Sequence, residues 1–248
     1  WSMEVSQWGR TGPALVLVAM VVWVAGCTGA KVTTKSSPDL ARYQIRSLAF
    51  VPLTVLSTPQ PQDVGGPYLS SPEGVRRSDV AIAVPPSVEL PLKLTMTVPS
   101  SAAEKVTQMV WRRLRGREGL QVVPPGDVAK AWSPVSESAK LGAEAGAAML
   151  AKRLKVDAAL IGQVLVYQER VGSRMGASPA AAVGFELKLV AADGQVLWTG
   201  NYYERQRPMT EDVMGFVQRW AFVTADELAE YGVEEVLKDF PFVAGSPQ

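Results

Sequence analysis

The chain has 248 residues, 47% hydrophobic and 20% charged, and its 25 Lys and Arg nearly balance its 24 Asp and Glu for a net charge of +1. That supplies one core of ordinary size and no charge bias of the kind that marks a nucleic-acid stripe or an acidic tail. There is no histidine and one cysteine, Cys27, which excludes a Ser-His-Asp triad, a Cys-His pair, a His-bearing zinc site and an internal disulfide.

Residues 13–25, PALVLVAMVVWVA, are apolar and uncharged. The run is shorter than the ~20 residues of a transmembrane helix. It suits the h-region of a secretory signal peptide, with Arg10 as the positive n-region and small residues before a cleavage point. Met3 is the expected initiator, unless Trp1 belongs to a frame open upstream. At the end of the run, Val24-Ala25-Gly26-Cys27 resembles the lipobox of bacterial lipoproteins: an aliphatic residue, two small ones, then Cys. The resemblance implies cleavage before Cys27, a diacylglycerol on its thiol and an acyl chain (palmitate) on the new amine. Three chains exceed the two signals that stable anchoring takes, and no other cofactor is implied. Thr28, where Asp would favour inner-membrane retention, resembles the outer-membrane pattern and implies the periplasmic face of that membrane. The competing reading is a buried structural cysteine. Losing residues 1–26 removes only Glu4 and Arg10, so the mature charge stays at +1. Residues 27–42 then read as the acylated cysteine and a flexible tether.

From residue 43 the pattern becomes that of a folded domain, expected over 43–241 with a tail at 242–248. Tyr43–Leu53 carries Ile45, Leu48, Phe50 and Val51 as a short buried strand closed by Pro52. Residues 52–99 hold nine of the 18 prolines, which predicts a Pro-rich insertion over 54–99. Its end, Ser87–Val98, alternates strictly: Val88, Leu90, Leu92, Leu94, Met96 and Val98 face one way. Period two predicts a strand, and Pro91 confines it to an edge or interrupts it. Residues 78–84 could supply the other arm of a hairpin. The strand serves either as a core-facing edge or as a membrane- or partner-binding strand, since eleven residues also cross a bilayer when tilted.

Ser101-Ala102-Ala103-Glu104 reads as a capping box opening a helix with Val106, Met109, Val110 and Leu114 on one face. The basic stretch Trp111–Arg117 reads as its wet face. Leu120–Pro125 predicts a short strand and Glu137–Leu154 an Ala-rich helix. Three strands follow, over 157–170, 184–192 and 194–205, the last two joined by a two-residue Asp193-Gly194 turn and the first two by a Gly/Ser/Ala loop that reads as mobile. In the last strand Trp198 and Tyr202 share a face opposite Tyr203, so core packing is the default over a ligand site. Glu186 and Glu204 are the carboxylates open to a glycosidase-like reading, which alternation explains instead as solvent-face residues. At the C-terminus Phe216 and Trp220 predict a buried stripe, Thr224-Ala225-Asp226-Glu227 a second capping box with a break near Val223, and Pro241 a stop.

The element order predicts an α/β domain: a four- to five-stranded mixed sheet with helices packed on it. That order, with the phrases IRSLAFVPL, LAKRLKVDAALIGQVLVYQE, AADGQVLWTG and LKDFP, resembles a group of envelope lipoproteins. The group includes the curli-secretion lipoprotein and the penicillin-binding-protein activator lipoprotein B, and its fold is similar to the N-terminal domain of TolB. The resemblance spans roughly 43–241 apart from the insertion and rests on hydrophobic patterns. It implies no catalytic site and no enzyme. It implies a lipid-anchored periplasmic binding or assembly factor for envelope protein partners, without nucleic acid, nucleotide or metal. The alternative is a subunit of a ring-shaped outer-membrane secretion channel, with residues 78–98 as the candidate hairpin and the 171–184 loop as a weaker second one.

Overall fold

A computed structural model describes residues 31–61, 95–138, 142–177, 179–206 and 222–242. Its frame is a meander of three long strands: β7 (Ala158–Gln168), β8 (Ala182–Ala191) and β9 (Val196–Arg205). Each alternates apolar and mixed positions, so one face of each must be buried. β7 pairs with β8 from Ala158↔Ala191 to Gln168↔Ala182, and β8 with β9 from Ala182↔Arg205 to Val190↔Val196. The β8–β9 turn is wider than the two residues expected. Gly194 N–H donates to the Ala191 carbonyl, Gln195 O accepts from Ala191 N–H, and Gly194 sits at φ 101°. The left-handed position favours glycine.

The sheet has seven strands in the order β1-β9-β8-β7-β2-β6, with β3 beside β7, not four or five. Two features account for the excess. The first is β1 (Val32–Ser36), antiparallel to β9 with Val32↔Tyr202 and Ser36↔Trp198, followed by a 3-10 turn at Pro38–Arg42. The expected tether over 27–42 is therefore ordered from Val32, because β9 would otherwise present an unpaired edge. The second is the division of the first predicted strand into β2 (Ser47–Phe50) and β3 (Thr54–Val55), both parallel to β7. Pro52 interrupts the ladder, and Leu53 N–H turns away to Thr107 Oγ1 at 3.0 Å. β6 (Gln121–Val123) closes the far edge, parallel to β2. Apart from the main sheet, β4 (Gln60–Pro61) pairs antiparallel with β5 (Thr95–Met96).

Helices cover both faces. On one lie α1 (Ser100–Leu114) and α4 (Ala225–Lys238). The expected capping box of α1 does not form: the helix starts two residues earlier, its N-cap is Pro99, and no side chain caps it. That of α4 forms as expected, with Thr224 Oγ1 accepting from Glu227 N–H and Glu227 Oε2 from Thr224 N–H at 2.8 Å. Trp198, Tyr202, Phe185, Leu189 and Leu228 are fully buried in the core beneath. Gly232 of α4 makes the close approach possible, since a Cβ there would lie 2.4 Å from the Tyr202 ring. Of the basic stretch, Arg112 and Arg113 are exposed and pair with Glu230 and Glu234 of α4. Arg117 instead lies over the Phe240 and Phe242 rings and donates to the Leu237 carbonyl.

The other face carries α2 (Pro125–Ser138) and α3 (Ala143–Leu154). The helix expected over 137–154 is observed as α3 from Ala143 to Leu154, and α2 ahead of it is new. Pro125 occupies its first turn, where the missing N–H costs nothing. Ala147, Ala148, Leu150 and Ala151 pack α3 onto β7 and β2.

Candidate functional site: a charged cleft and an exposed hairpin tip

Of the residues singled out by sequence, Val24, Ala25, Gly26 and Cys27 lie outside the described residues, as do Val88, Leu90, Leu92 and Leu94, the arm at 78–84, and Phe216 and Trp220. Met96 is in β5, whose described partner is β4. Val98 is 8% exposed and belongs to the core.

Trp198 and Tyr202 are core residues, whereas Tyr203 is 55% exposed and lies across Gly184 of β8. Glu204 departs from expectation. It falls on the Tyr202 face, is 5% exposed and accepts the Tyr202 hydroxyl at 2.7 Å. A carboxylate at that depth needs such a partner, so alternation placed it inward with Trp198 and Tyr202. Glu186 is half-buried in an ion cluster: Lys188 Nζ lies 3.0 Å from both Glu186 Oε1 and Glu144 Oε1. The hydrogen bonds to Glu186 and then Glu144 hold the Lys188 ammonium above its ordinary pKa. Its own backbone N–H and then Lys188 hold Glu144 below the usual carboxylate range. These groups rim a cleft of about 180 Å³ with Trp132, Ile161 and Gln163. A lysine locked between two carboxylates is neither a free base nor a nucleophile at neutral pH, so the cluster ties α3 to β8. Among the described residues no group of His, Cys, Asp and Glu could hold a metal ion.

A second feature lies beyond the ends of β7 and β8. Gly172 bridges Ala177, Ser173 N–H donates to Gly176 O at 2.8 Å, and Gly176 N–H returns to Ser173 O. These bonds put Arg174 and Met175 at the apex of a tight turn. Arg174 fixes the turn to the start of α4: its carbonyl accepts from Phe222 N–H at 2.8 Å, and its guanidinium pairs with Glu227 at 2.8 Å. Met175 is 80% exposed and Val171 63%. Sequence reasoning took this loop as mobile on its Gly, Ser and Ala content and as the weaker of two candidate hairpins for the channel alternative, and did not single out Met175. An apolar residue flanked by turn formers was the signal that could have found it.

No protein-family model matches the chain, and no curated protein matches it. Solved structures do. The PelC dodecamer from Paraburkholderia phytofirmans is 15% identical with a TM-score of 0.40, over 83% of this chain and 93% of that one. The LpoB C-terminal domain from Escherichia coli is 11% identical with a TM-score of 0.34, over 76% and 94%. Lipoprotein GNA1162 from Neisseria meningitidis is 14% identical with a TM-score of 0.37, over 78% and 99%. The likeness is one of overall arrangement. It transfers no residue roles.

Proposed function

We propose that this chain is an envelope lipoprotein, held at the periplasmic face of the outer membrane through acylated Cys27, whose folded domain acts as a non-catalytic docking or assembly factor for envelope proteins. The observation that carries the reading is the placement of the only cysteine. Val24-Ala25-Gly26-Cys27 closes an apolar run and stands five residues before Val32, where β1 begins. A lipid anchor needs such a junction between a leader and a folded domain, and a buried structural cysteine does not. The absence of histidine from the sequence and the engagement of Lys188 by Glu144 and Glu186 support a role in binding rather than chemistry.

The test is acylation and fractionation in a diderm host. The parent protein should incorporate labelled palmitate and sediment with outer membranes, while Cys27→Ala should lose the label and appear in the soluble periplasm. Retention of Cys27→Ala in the membrane would sink the anchor. Light scattering of the detergent-extracted protein then decides between roles. A monomer or dimer supports the docking factor, and a ring of many copies supports the secretion-channel alternative.

A further inference from the structure

On the face of the sheet that carries α2 and α3, the packed region gives way to open strands. α3 packs on β7, β2 and β8. Beyond it the register carries the same face outward: Gln163 of β7 is level with Glu186 of β8, Glu186 with Asn201 of β9, and Asn201 with Thr33 of β1. Directly opposed residues point to the same side of a sheet. Asn201 and Thr33 are exposed. So is Tyr203, two residues along β9 and therefore on that side as well. The charged cleft draws on both regions. Trp132 and Glu144 come from the helices, and Gln163 and Glu186 from the open row. It marks the border between them.

We propose that this cleft takes one arginine side chain from a protein partner laid across the open face. The proposal deepens the docking reading above and rests on it for the partner being an envelope protein. Charge selects the occupant. Glu144 and Glu186 bring two negative charges and Lys188 one positive, so the cluster keeps a net charge of −1. Lys188 meets Glu186 through Oε1, and Oε2 has no partner among the described residues. Lys35, level with Lys188 across Thr199, stands about 10 Å away, where salt screens one exposed charge from another. A guanidinium suits what remains: it meets a carboxylate with a planar fork of donors and stacks on an aromatic face such as that of Trp132. Size limits the occupant to about one side chain, since 180 Å³ falls below the ~300 Å³ at which pockets for drug-sized ligands begin. The side chains of Glu186 and Glu144 are 30% and 39% exposed, so a cation reaches them from solvent. The body of the partner, resting on Asn201 and Tyr203, then shields the pair from water and strengthens it. Tyrosine is a favoured anchor at such interfaces.

The full chain, extracted in mild detergent and labelled with fluorotryptophan, reports on the cleft through Trp132. Its fluorine resonance is assigned by its loss in Trp132→Phe. The probe is a capped Gly-Arg-Gly peptide, and the control carries citrulline, the neutral isostere, in place of arginine. The arginine peptide should shift the Trp132 resonance saturably, and the citrulline peptide should bind about tenfold more weakly or not at all. Glu186→Gln removes the charge and keeps the shape, and should weaken arginine binding about tenfold. That variant also loosens Lys188, so Asn201→Lys supplies an independent arm. It sets a competing cation opposite Glu186 from an exposed position. It should weaken arginine binding several-fold while the resonance of buried Trp198 stays in place. No saturable shift, equal binding of the two peptides, or binding indifferent to both substitutions overturns the proposal. A Trp132 resonance that moves with protein concentration alone assigns the cleft to a second copy of the chain and also overturns it. Failure of the cleft and failure of the anchor are distinguishable. Acylated protein that ignores the arginine peptide removes the cleft and leaves the lipoprotein reading standing. Arginine binding by a chain whose N-terminal peptide carries no acyl chains by mass keeps the cleft and removes the anchor.

Discussion

At the end of the sheet where β2 and β7 begin, the turns are bonded into the backbone. Asp157 Oδ2 accepts from Arg46 N–H at 3.0 Å and from Ser47 N–H and Oγ at 2.8 Å, while Asp193 accepts from the Tyr43 hydroxyl at 2.6 Å and from Gln195 N–H at 3.0 Å. At the other end, polar bonds hold the base of the β7–β8 turn, but the apex offers an apolar side chain to whatever lies outside. Buried apolar surface stabilises a fold. An apolar side chain held out on a rigid turn does not. The comparison separates the end that maintains the fold from the end available for contact. Substitutions at the first should register in stability, and substitutions at the apex in association.

The largest effect should come from Asp157→Ala. It strands two backbone N–H donors and the Ser47 hydroxyl, a loss of about 2 kcal/mol, or several degrees in Tm for a domain of this size. Burial raises the Asp157 pKa, but the bonds from Arg46 and Ser47 outweigh it and hold the carboxyl below its usual range. A carboxyl depressed in the folded state contributes stability above its unfolded pKa, and that contribution is lost as pH falls through the folded value. The gap in urea stability between the parent and Asp157→Asn should therefore be constant at neutral pH and close below about pH 4. A gap that persists in acid would mean that shape, not charge, holds this end. Next in size is Thr224→Ala, which removes the cap of α4 beside the β7–β8 turn. It should cost about 1 kcal/mol by urea denaturation. A cost near that of Asp157→Ala would show that the two ends are equally structural.

The meander was legible because its strands are long and alternate, so a single periodicity assigned both the elements and the inward faces of Trp198 and Tyr202. What was missed depends on tertiary partners. Val32–Ser36 carries one large apolar residue and becomes a strand because β9 supplies a ladder. Pro124-Pro125-Gly126 reads locally as a turn, yet Pro125 fits the opening of a helix. Glu204 was read by alternation as a solvent-face residue, although its place two residues after Tyr202 puts it on the inward face. In the candidate contact surface the anchor motif was legible as a pattern of residue types, but the role of Met175 was not. Exposure of one methionine in a Gly-rich loop is set by the Ser173–Gly176 bonds and by the contacts of Arg174 with Phe222 and Glu227, all of which need the fold.

Two smaller effects sharpen the contrast. Lys155 ends α3 at φ 55°, the one described non-glycine residue in the left-handed region. Lys155→Gly should relieve that strain and raise stability by about 0.5 kcal/mol, a gain of a degree or two in Tm. Met175→Ser should be smaller still in stability, within about 0.5 kcal/mol, because an exposed side chain leaves no cavity when it is shortened. If Met175→Ser instead unfolds the domain at markedly lower urea, the apex belongs with the structural end and the distinction between the two ends fails.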